Sequence, residues 1–329
     1  MLASQVYNKK VVFITTKNID YIRNQQEIKL LNKYCNKTVI IGSENKYYFF
    51  RLIYVYLRLL FSSFHKYDIA FVGFSPQLVL PFFYWKFRNI FVIEDFFISL
   101  YDTFVFDRKK IKKDSYLSKL FKRLDMLTLK LADIIICDTK EHGLYFCDEL
   151  GCEKSKLEVL YLEADESIYY PRHYCKKETD PFKVLYFGSI LPLQGLDVIM
   201  SAISKILYEH NIRFEIIGPV DDLDRIDDNN IEYISWLPQS KLAEHIAMAD
   251  ICLAGHFAGD IAKARRTIPG KAYIYRAMGK PMILGDNPAN RELFTEGNGI
   301  YFCNMGDSDS LSKTILEAIR DLSSNNQML

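Results

Sequence analysis

Arg265-Arg266-Thr267-Ile268-Pro269-Gly270-Lys271, continuing as Ala272-Tyr273-Ile274-Tyr275-Arg276-Ala277-Met278-Gly279-Lys280-Pro281-Met282-Ile283-Leu284-Gly285-Asp286, is the stretch that decides how this chain folds. It reads as a basic loop, a Pro-Gly helix entry, a few helical turns, a glycine stop and a short apolar strand. Proline suits the first turn of a helix, where its missing N–H would be unpaired in any case. Gly279, just past the periodic residues, fits a C-terminal cap. The free N–H groups and partial positive charge of the helix entry, flanked by cations, suit an anion such as a diphosphate.

The same grammar extends outward in both directions. Val11–Ile14, Val39–Gly42, Ile69–Gly73, Ile90–Ile93 and Asp133–Cys137 are apolar bursts of strand length, and Tyr21–Tyr34 has the pattern of a helix with Ile22, Leu30 and Leu31 inward. Lys183–Phe187, Arg213–Ile217, Ile231–Trp236, Ile251–Ala254 and Pro281–Leu284 repeat the pattern, and a last helix spans Ser308–Asp321. Short continuous apolar strands alternating with helix-length segments predict parallel sheets covered on both faces. Ala164–Pro181 is polar, carries Pro171 and Pro181 and lacks apolar periodicity. The expectation is an α/β chain of two doubly wound, Rossmann-like domains facing a cleft. The boundaries are residues 1–165, a linker at 166–181, and 182–329, with the last helix free to pack back on the first domain.

Bulk composition agrees with a globular chain. The 329 residues are 49% hydrophobic and 14% aromatic, enough for a core in each domain. A formal net charge of +1 gives no reason to expect nucleic acid as a partner. The seven cysteines form no C-x-x-C pair and fall mostly in apolar runs, which suggests free buried thiols in a reducing compartment. No secretory signal is legible at the N-terminus.

Ile268-Pro269-Gly270-Lys271, the Gly279-Lys280-Pro281-Met282-Ile283-Leu284-Gly285-Asp286 run and Pro288-Ala289-Asn290-Arg291-Glu292 together resemble the donor half of family 4 glycosyltransferases, which have the GT-B architecture. The upstream turn Gly188-Ser189-Ile190-Leu191-Pro192-Leu193-Gln194-Gly195 stands between a strand and a helix, where glycine lets backbone approach a phosphate. Its distance from Ile-Pro-Gly-Lys matches the two donor-binding pieces of that family. The resemblance implies a donor site built from Gly188, Ser189, Gln194, Gly195, Lys271 and Glu292. It implies a nucleoside-diphosphate sugar as co-substrate, no cofactor, retention of configuration and independence of metal. The loop Gly255–Asp260 follows a strand and should line the same cleft, with His256 as a donor-sugar or base contact.

The chain also departs from that family. Ser189 and Gln194 stand where most relatives carry Arg and Lys, and Arg266 and Ile274 stand where an acidic pair is usual. The run Lys263-Ala264-Arg265-Arg266 together with Pro192-Leu193-Gln194-Gly195 is closer to one subgroup. Lys263, Arg266 and Lys271 are therefore expected to replace the missing loop cations, since Arg pairs bidentately with phosphate.

In the first half, Glu94-Asp95 ends a strand where many relatives have a nearby His, and Asp102, Asp107 and Arg108 follow. Ligands of open α/β sheets bind at that edge, and an acid there could orient or deprotonate an acceptor hydroxyl. Asp95, Asp102 and Asp107 are the catalytic candidates, with Arg108 and Asp138 on the acceptor side; Asp138 or Thr139 would cap the next helix. Asp222-Leu223-Asp224 and Asp307-Ser308-Asp309 read as a loop and a helix start rather than metal sites. Phe49–Phe64 is almost wholly apolar, and sixteen residues are short of a bilayer span. It is either a buried core helix or a monotopic, membrane-touching one, with the basic run Arg108–Arg123 available to anionic lipid.

The function these features imply is transfer of a sugar to a glycan or lipid-linked acceptor in surface polysaccharide or glycoconjugate synthesis. The setting would be cytoplasmic, with a peripheral place on the inner membrane face open. The rivals are a GT-B nucleotide-sugar epimerase and a non-catalytic partner of another glycosyltransferase.

Overall fold

The computed structural model describes residues 2–177, 179–208, 211–221 and 224–326, so Asp222 and Leu223 of the first Asp-x-Asp lie outside the described residues. The chain divides into two compact units, Met1–Glu163 and Ala164–Leu329.

The N-terminal unit holds strands β1 (Lys10–Asn18), β2 (Lys37–Ser43), β3 (Ile69–Val72), β4 (Phe91–Asp95), β5 (Ile134–Cys137) and β6 (Leu157–Val159). They form one parallel sheet in the order β2-β1-β3-β4-β5-β6. Its helices are α1 (Leu2–Val6), α2 (Ile22–Tyr34), α3 (Tyr48–Phe61), α4 (Tyr84–Phe87), α5 (Tyr116–Leu131) and α6 (Lys140–Leu150). The two faces of β1 divide the helices. Val11 and Phe13 pack with Leu2, Val6, Ile28 and Leu31 of α1 and α2. Val12 and Ile14 pack with Val55, Leu59, Phe87, Leu129 and Phe146 of α3 to α6. Alternate strand residues point to opposite faces, so a continuous apolar run is what a sheet covered on both sides requires.

The C-terminal unit repeats the plan with β7 (Phe182–Phe187), β8 (Ile212–Ile217), β9 (Ile231–Ile234), β10 (Ile251–Gly255), β11 (Met282–Gly285) and β12 (Ile300–Cys303). The parallel order is β12-β11-β10-β7-β8-β9. Helices α7 (Leu196–Ile206), α8 (Gln239–Met248), α9 (Ala262–Arg266), α10 (Gly270–Ala277) and α11 (Pro288–Arg291) lie between strands, and α12 (Ser308–Asn326) follows the last one. The last of them, α12, packs on α7, β10 and β12 of its own unit through Leu311, Ile315, Ala318 and Ile319. Strands β6 and β12 escaped the sequence reading, being short runs in which only alternate residues are strongly apolar.

Two local expectations are corrected. The buried face of α2 is Arg23, Asn24, Gln26, Glu27, Ile28 and Leu31, while Ile22 and Leu30 are only half-buried. Helix α3 is not a buried core helix: only Arg51, Val55 and Leu59 are buried, and its other apolar residues are largely exposed. Arg51 turns inward because its guanidinium donates to the carbonyls of Asn45 and Lys46, closing the loop before the helix. All seven cysteines are free, with Cys137, Cys252 and Cys303 buried, Cys35, Cys147 and Cys152 half-buried and Cys175 exposed.

Candidate active site

In the C-terminal unit, three loops at the carboxyl ends of β7, β10 and β11 close on one another. Gly188 leaves β7 at φ 147°, and a Cβ on Gly218 would stand 2.3 Å from the Gly188 carbonyl, so the two strand ends touch through backbone. A helical turn, Pro192–Gln194, ends at Gly195 with φ 70°, where a side chain would meet Ala258 N at 2.7 Å. Glycine is needed there both for the left-handed conformation and for the close approach. The Phe257 N–H donates to the Gln194 carbonyl at 3.2 Å, so the turn is tied to the loop after β10.

Lys271, second residue of α10, points into this junction and is buried. Its Nζ donates to Gln194 Oε1 and lies 4.7 Å from the centroid of the Tyr186 ring. A Cβ on Gly188 would lie 3.6 Å from Lys271 Nζ, and one on Gly255 3.7 Å. Burial pushes the ammonium down from 10.5 to about 7. The result is an amine held dry among two glycines and an amide, beside the N–H groups that open α10, and cationic only below about pH 7 until an anion arrives. An anion arriving there gains a charge-assisted hydrogen bond and finds the helix N-terminus behind it.

The other expected donor residues fall around this point unevenly. Gly188, Gln194 and Gly195 form the loop itself, whereas Ser189 is exposed. His256 is buried beside Gly255, its Nδ1 3.4 Å from Thr267 Oγ1, and Thr267 also donates to the Lys263 carbonyl at 3.0 Å. Lys263 and Arg266 are half-buried on α9, which packs against the Pro192–Gln194 turn and α11. Glu292 is half-buried just after α11. That short helix is capped by Asn287, which accepts from Asn290 N, while Asn290 Nδ2 donates to the Gly285 carbonyl. Asp307 Oδ1 accepts from Ser310 N, so this part of the second Asp-x-Asp serves a helix start. Among the described residues no group of three metal-ligating side chains occurs.

In the N-terminal unit the carboxyl edge of the sheet carries a buried ionic cluster. Arg23 grips Asp95 with two bonds, Nε to Oδ2 at 2.8 Å and Nη2 to Oδ1 at 3.0 Å. Glu27 stands 3.7 Å from Arg23 Nε, and burial raises its carboxyl well above the usual range, with the Asp95 charge adding to it. Glu94 is likewise pushed up by burial, with neither carboxyl oxygen bonded. Asp95 is therefore committed to Arg23, which leaves it poorly placed to take a proton from an acceptor. Asp102 and Asp107 are buried in a wide helical turn, Asp102–Asp107, and Arg108 is exposed. That turn is organised by Asp125 of α5, a residue the sequence did not signal. Its carboxylate accepts from Gln77 Nε2, Ser99 Oγ, Leu100 N and Tyr101 N.

Asp138 differs from these acids in keeping 22% of its side chain exposed while bonding His142 Nδ1 at 2.6 Å. Burial pushes its carboxyl up, but His142 and Arg23 outweigh that and hold it below the usual range. Thr139, not Asp138, caps α6 by accepting from His142 N. Above the cluster, the half-buried Tyr21, Phe74 and Phe97 have ring centroids 5.6 to 6.3 Å apart, and Lys17 Nζ sits 5.1 Å from the Phe74 ring. Burial, with Asp95 adding, lifts the Tyr21 hydroxyl to about 12. Arg23 and Glu27 carried a signal of a misleading kind: an i,i+4 pair usually means an exposed ion pair.

Comparison with known proteins adds three findings. Residues 181–321 match the family model described as glycosyl transferases group 1. No curated protein matches the sequence significantly. Among solved structures, sucrose-phosphate synthase from Thermosynechococcus elongatus superposes with a TM-score of 0.68 at 11% identity, covering 95% of this chain and 90% of that one. Anabaena HepE in complex with UDP gives 0.64 at 13% identity, with the same coverage of 95% and 90%. The lipopolysaccharide outer core galactosyltransferase WaaB gives 0.56 at 13%, again covering 95% and 90%. At such identities the likeness establishes the fold, two parallel six-stranded α/β sheets of the GT-B type.

Proposed function

Starting from the match of residues 181–321 of the C-terminal unit to the group 1 glycosyltransferase model, we propose that the chain transfers a sugar from a UDP-sugar to a hydroxyl of a glycan or lipid-linked acceptor. The observation that carries this reading is Lys271, a buried cation at the mouth of α10 whose amine faces Gly188, Gln194 and Gly255. The diphosphate binds there, and Lys271 with the α10 N–H groups stabilises the charge that develops as the sugar leaves, an electrostatic mode of catalysis. Lys263, Arg266, His256 and Glu292 contribute to donor binding from α9 and the neighbouring loops. The UDP preference is drawn from Anabaena HepE, solved with UDP and with UDP-glucose.

The acceptor binds at the carboxyl edge of the N-terminal sheet, where Asp138, held ionised by His142 and Arg23, accepts a hydrogen bond from the reacting hydroxyl. Asp95 serves by fixing Arg23 beneath it. The anomeric configuration is retained, and the enzyme acts in surface glycan synthesis, peripheral on the inner face of a membrane. The test is incubation of the full chain with a panel of nucleotide sugars, with and without lipid-linked and free glycan acceptors. UDP release that depends on acceptor supports transfer. Conversion of donor alone into an epimer, or UDP-sugar binding without any turnover, overturns it.

A further inference from the structure

Helix α3 is turned inside out by the standard of a soluble protein. Its inward stripe is Arg51, Val55 and Leu59, spent on the sheet and the preceding loop. Its outward stripe is Phe49, Phe50, Ile53, Tyr54, Leu57 and Phe61, with Phe49 67% and Phe61 86% exposed. These residues form a continuous band along a helix roughly 20 Å long. The band continues onto α4, where Tyr84 and Trp85 are half exposed, and the two helices are joined by Lys86 Nζ, which donates to the Leu60 and Ser62 carbonyls.

Three observations say what covers this face. First, the apolar band is fringed by exposed cations, Lys46, Arg58, Lys66 and Arg88, which complement anionic headgroups. Second, α3, α4 and α5 pack on the same face of the sheet, and α5 repeats the chemistry: Tyr116, Leu117 and Leu120 are exposed after the basic run Lys109–Lys113. The opposite helix layer shows nothing comparable, for α2 exposes Gln25, Lys29, Asn32 and Lys33. Third, aromatic residues with amphipathic rings among cations are the composition of a bilayer interface, and no helix among the described residues is long and apolar enough to cross a membrane. In the C-terminal unit, by contrast, the exposed large apolar side chains among the described residues are the scattered Tyr170, Tyr174, Tyr208 and Trp236.

We infer that the α3–α4–α5 layer is a docking surface for an anionic lipid bilayer, with α3 lying in the headgroup region. The first turn of α3 also reaches the acceptor edge. Tyr48 Oη lies 3.4 Å from Thr16 Oγ1, which donates to the Phe74 carbonyl at 3.1 Å, and Phe74 belongs to the Tyr21–Phe74–Phe97 group. A lipid-linked acceptor can thus keep its tail in the bilayer beside α3 while its head meets Asp138. That last step rests on the proposed transferase reading; the docking itself does not.

The experiment is flotation of the full chain with vesicles of phosphatidylcholine alone and of phosphatidylcholine with about one-third phosphatidylglycerol. The wild type is expected to float with the anionic vesicles and to lose most of that binding at high salt. The variant F50S/F61S/W85S is expected to bind at least about tenfold more weakly. The variant R58E/K66E/R88E is expected to bind the anionic vesicles no better than the neutral ones. Both variants should keep wild-type UDP affinity and circular dichroism, so that lost flotation cannot be lost folding or a failure of the donor site. A wild type that stays unbound, a triple serine variant that floats like wild type, or a dimer that the serine substitutions turn into monomers would overturn the proposal.

Discussion

Lys271→Met separates stability from function, because the two should move in opposite directions. The substitution keeps the volume of the stem and removes the amine. In the folded chain burial lowers that amine from 10.5 to about 7, which at 1.36 kcal/mol per pH unit corresponds to an unfavourable burial of roughly 5 kcal/mol when the group is charged. The bond to Gln194 Oε1 is lost, at about 1 kcal/mol, and local relaxation recovers part of the remainder. A net stabilisation of about 2 kcal/mol is expected, a rise in melting temperature of roughly 4–8 °C for a unit of this size. The sign follows from proton counts. Between pH 7 and 10.5 the unfolded chain binds more protons than the folded one, so wild-type stability rises with pH through that window. The advantage of the variant is therefore full near pH 6 and fades towards pH 10. UDP binding should go the other way. Losing a charge-assisted bond to the diphosphate costs about 1.5–3 kcal/mol, a roughly 10- to 100-fold weaker Kd. Wild-type affinity should also fall as pH rises above about 7, since binding then requires proton uptake, and the variant should lose that dependence. Differential scanning fluorimetry and titration calorimetry at pH 6 and pH 8.5 read both arms. A variant that melts lower than wild type and binds UDP equally well refutes the assignment of Lys271 as the buried diphosphate cation.

Other substitutions probe the remaining pieces. Asp138→Asn keeps the shape but not the charge proposed to meet the acceptor, so acceptor-dependent kcat should drop about a hundredfold with UDP affinity unchanged; equal turnover would remove Asp138 from the site. Arg23→Leu strands the buried Asp95 carboxylate and should cost roughly 3–5 kcal/mol in urea unfolding of the N-terminal unit. If Arg23→Leu folds with wild-type stability and only loses acceptor affinity, Arg23 belongs to the binding surface instead. Gly195→Ala must place a methyl 2.7 Å from Ala258 N at φ 70°, costing roughly 1–3 kcal/mol and loosening the Gln194–Lys271 contact. Its signature is a weaker UDP Kd measured alongside the melting shift, with acceptor KM untouched.

The fold was legible because its signals are local. Apolar bursts such as Val11–Ile14 and Ile251–Ala254 are buried on both faces of a parallel sheet, an arrangement their short length and alternation with helix-length segments already favoured. The Pro-Gly entry, with Lys271 just inside it, was equally readable, since backbone constraints at a helix start are set by the residues themselves. Whether a charged side chain ends up paired or facing a ligand depends on partners distant in sequence. Asp95 looked like a free acid at a strand end, and became the anchor of Arg23 only because α2 crosses β4 there, 72 positions earlier in the chain. Asp138 and Thr139 were both candidates to cap α6; Thr139 takes that role, and Asp138 bonds His142 with 22% of its side chain exposed. For α3 the sequence set the amphipathic composition and left the orientation undecided. Arg51 bonds the loop carbonyls from the stripe it shares with the buried Val55 and Leu59, and the aromatic face points outward. Hydrophobic periodicity fixes which elements form; the desolvation cost of each charge, payable only once its neighbours are known, fixes which way they point.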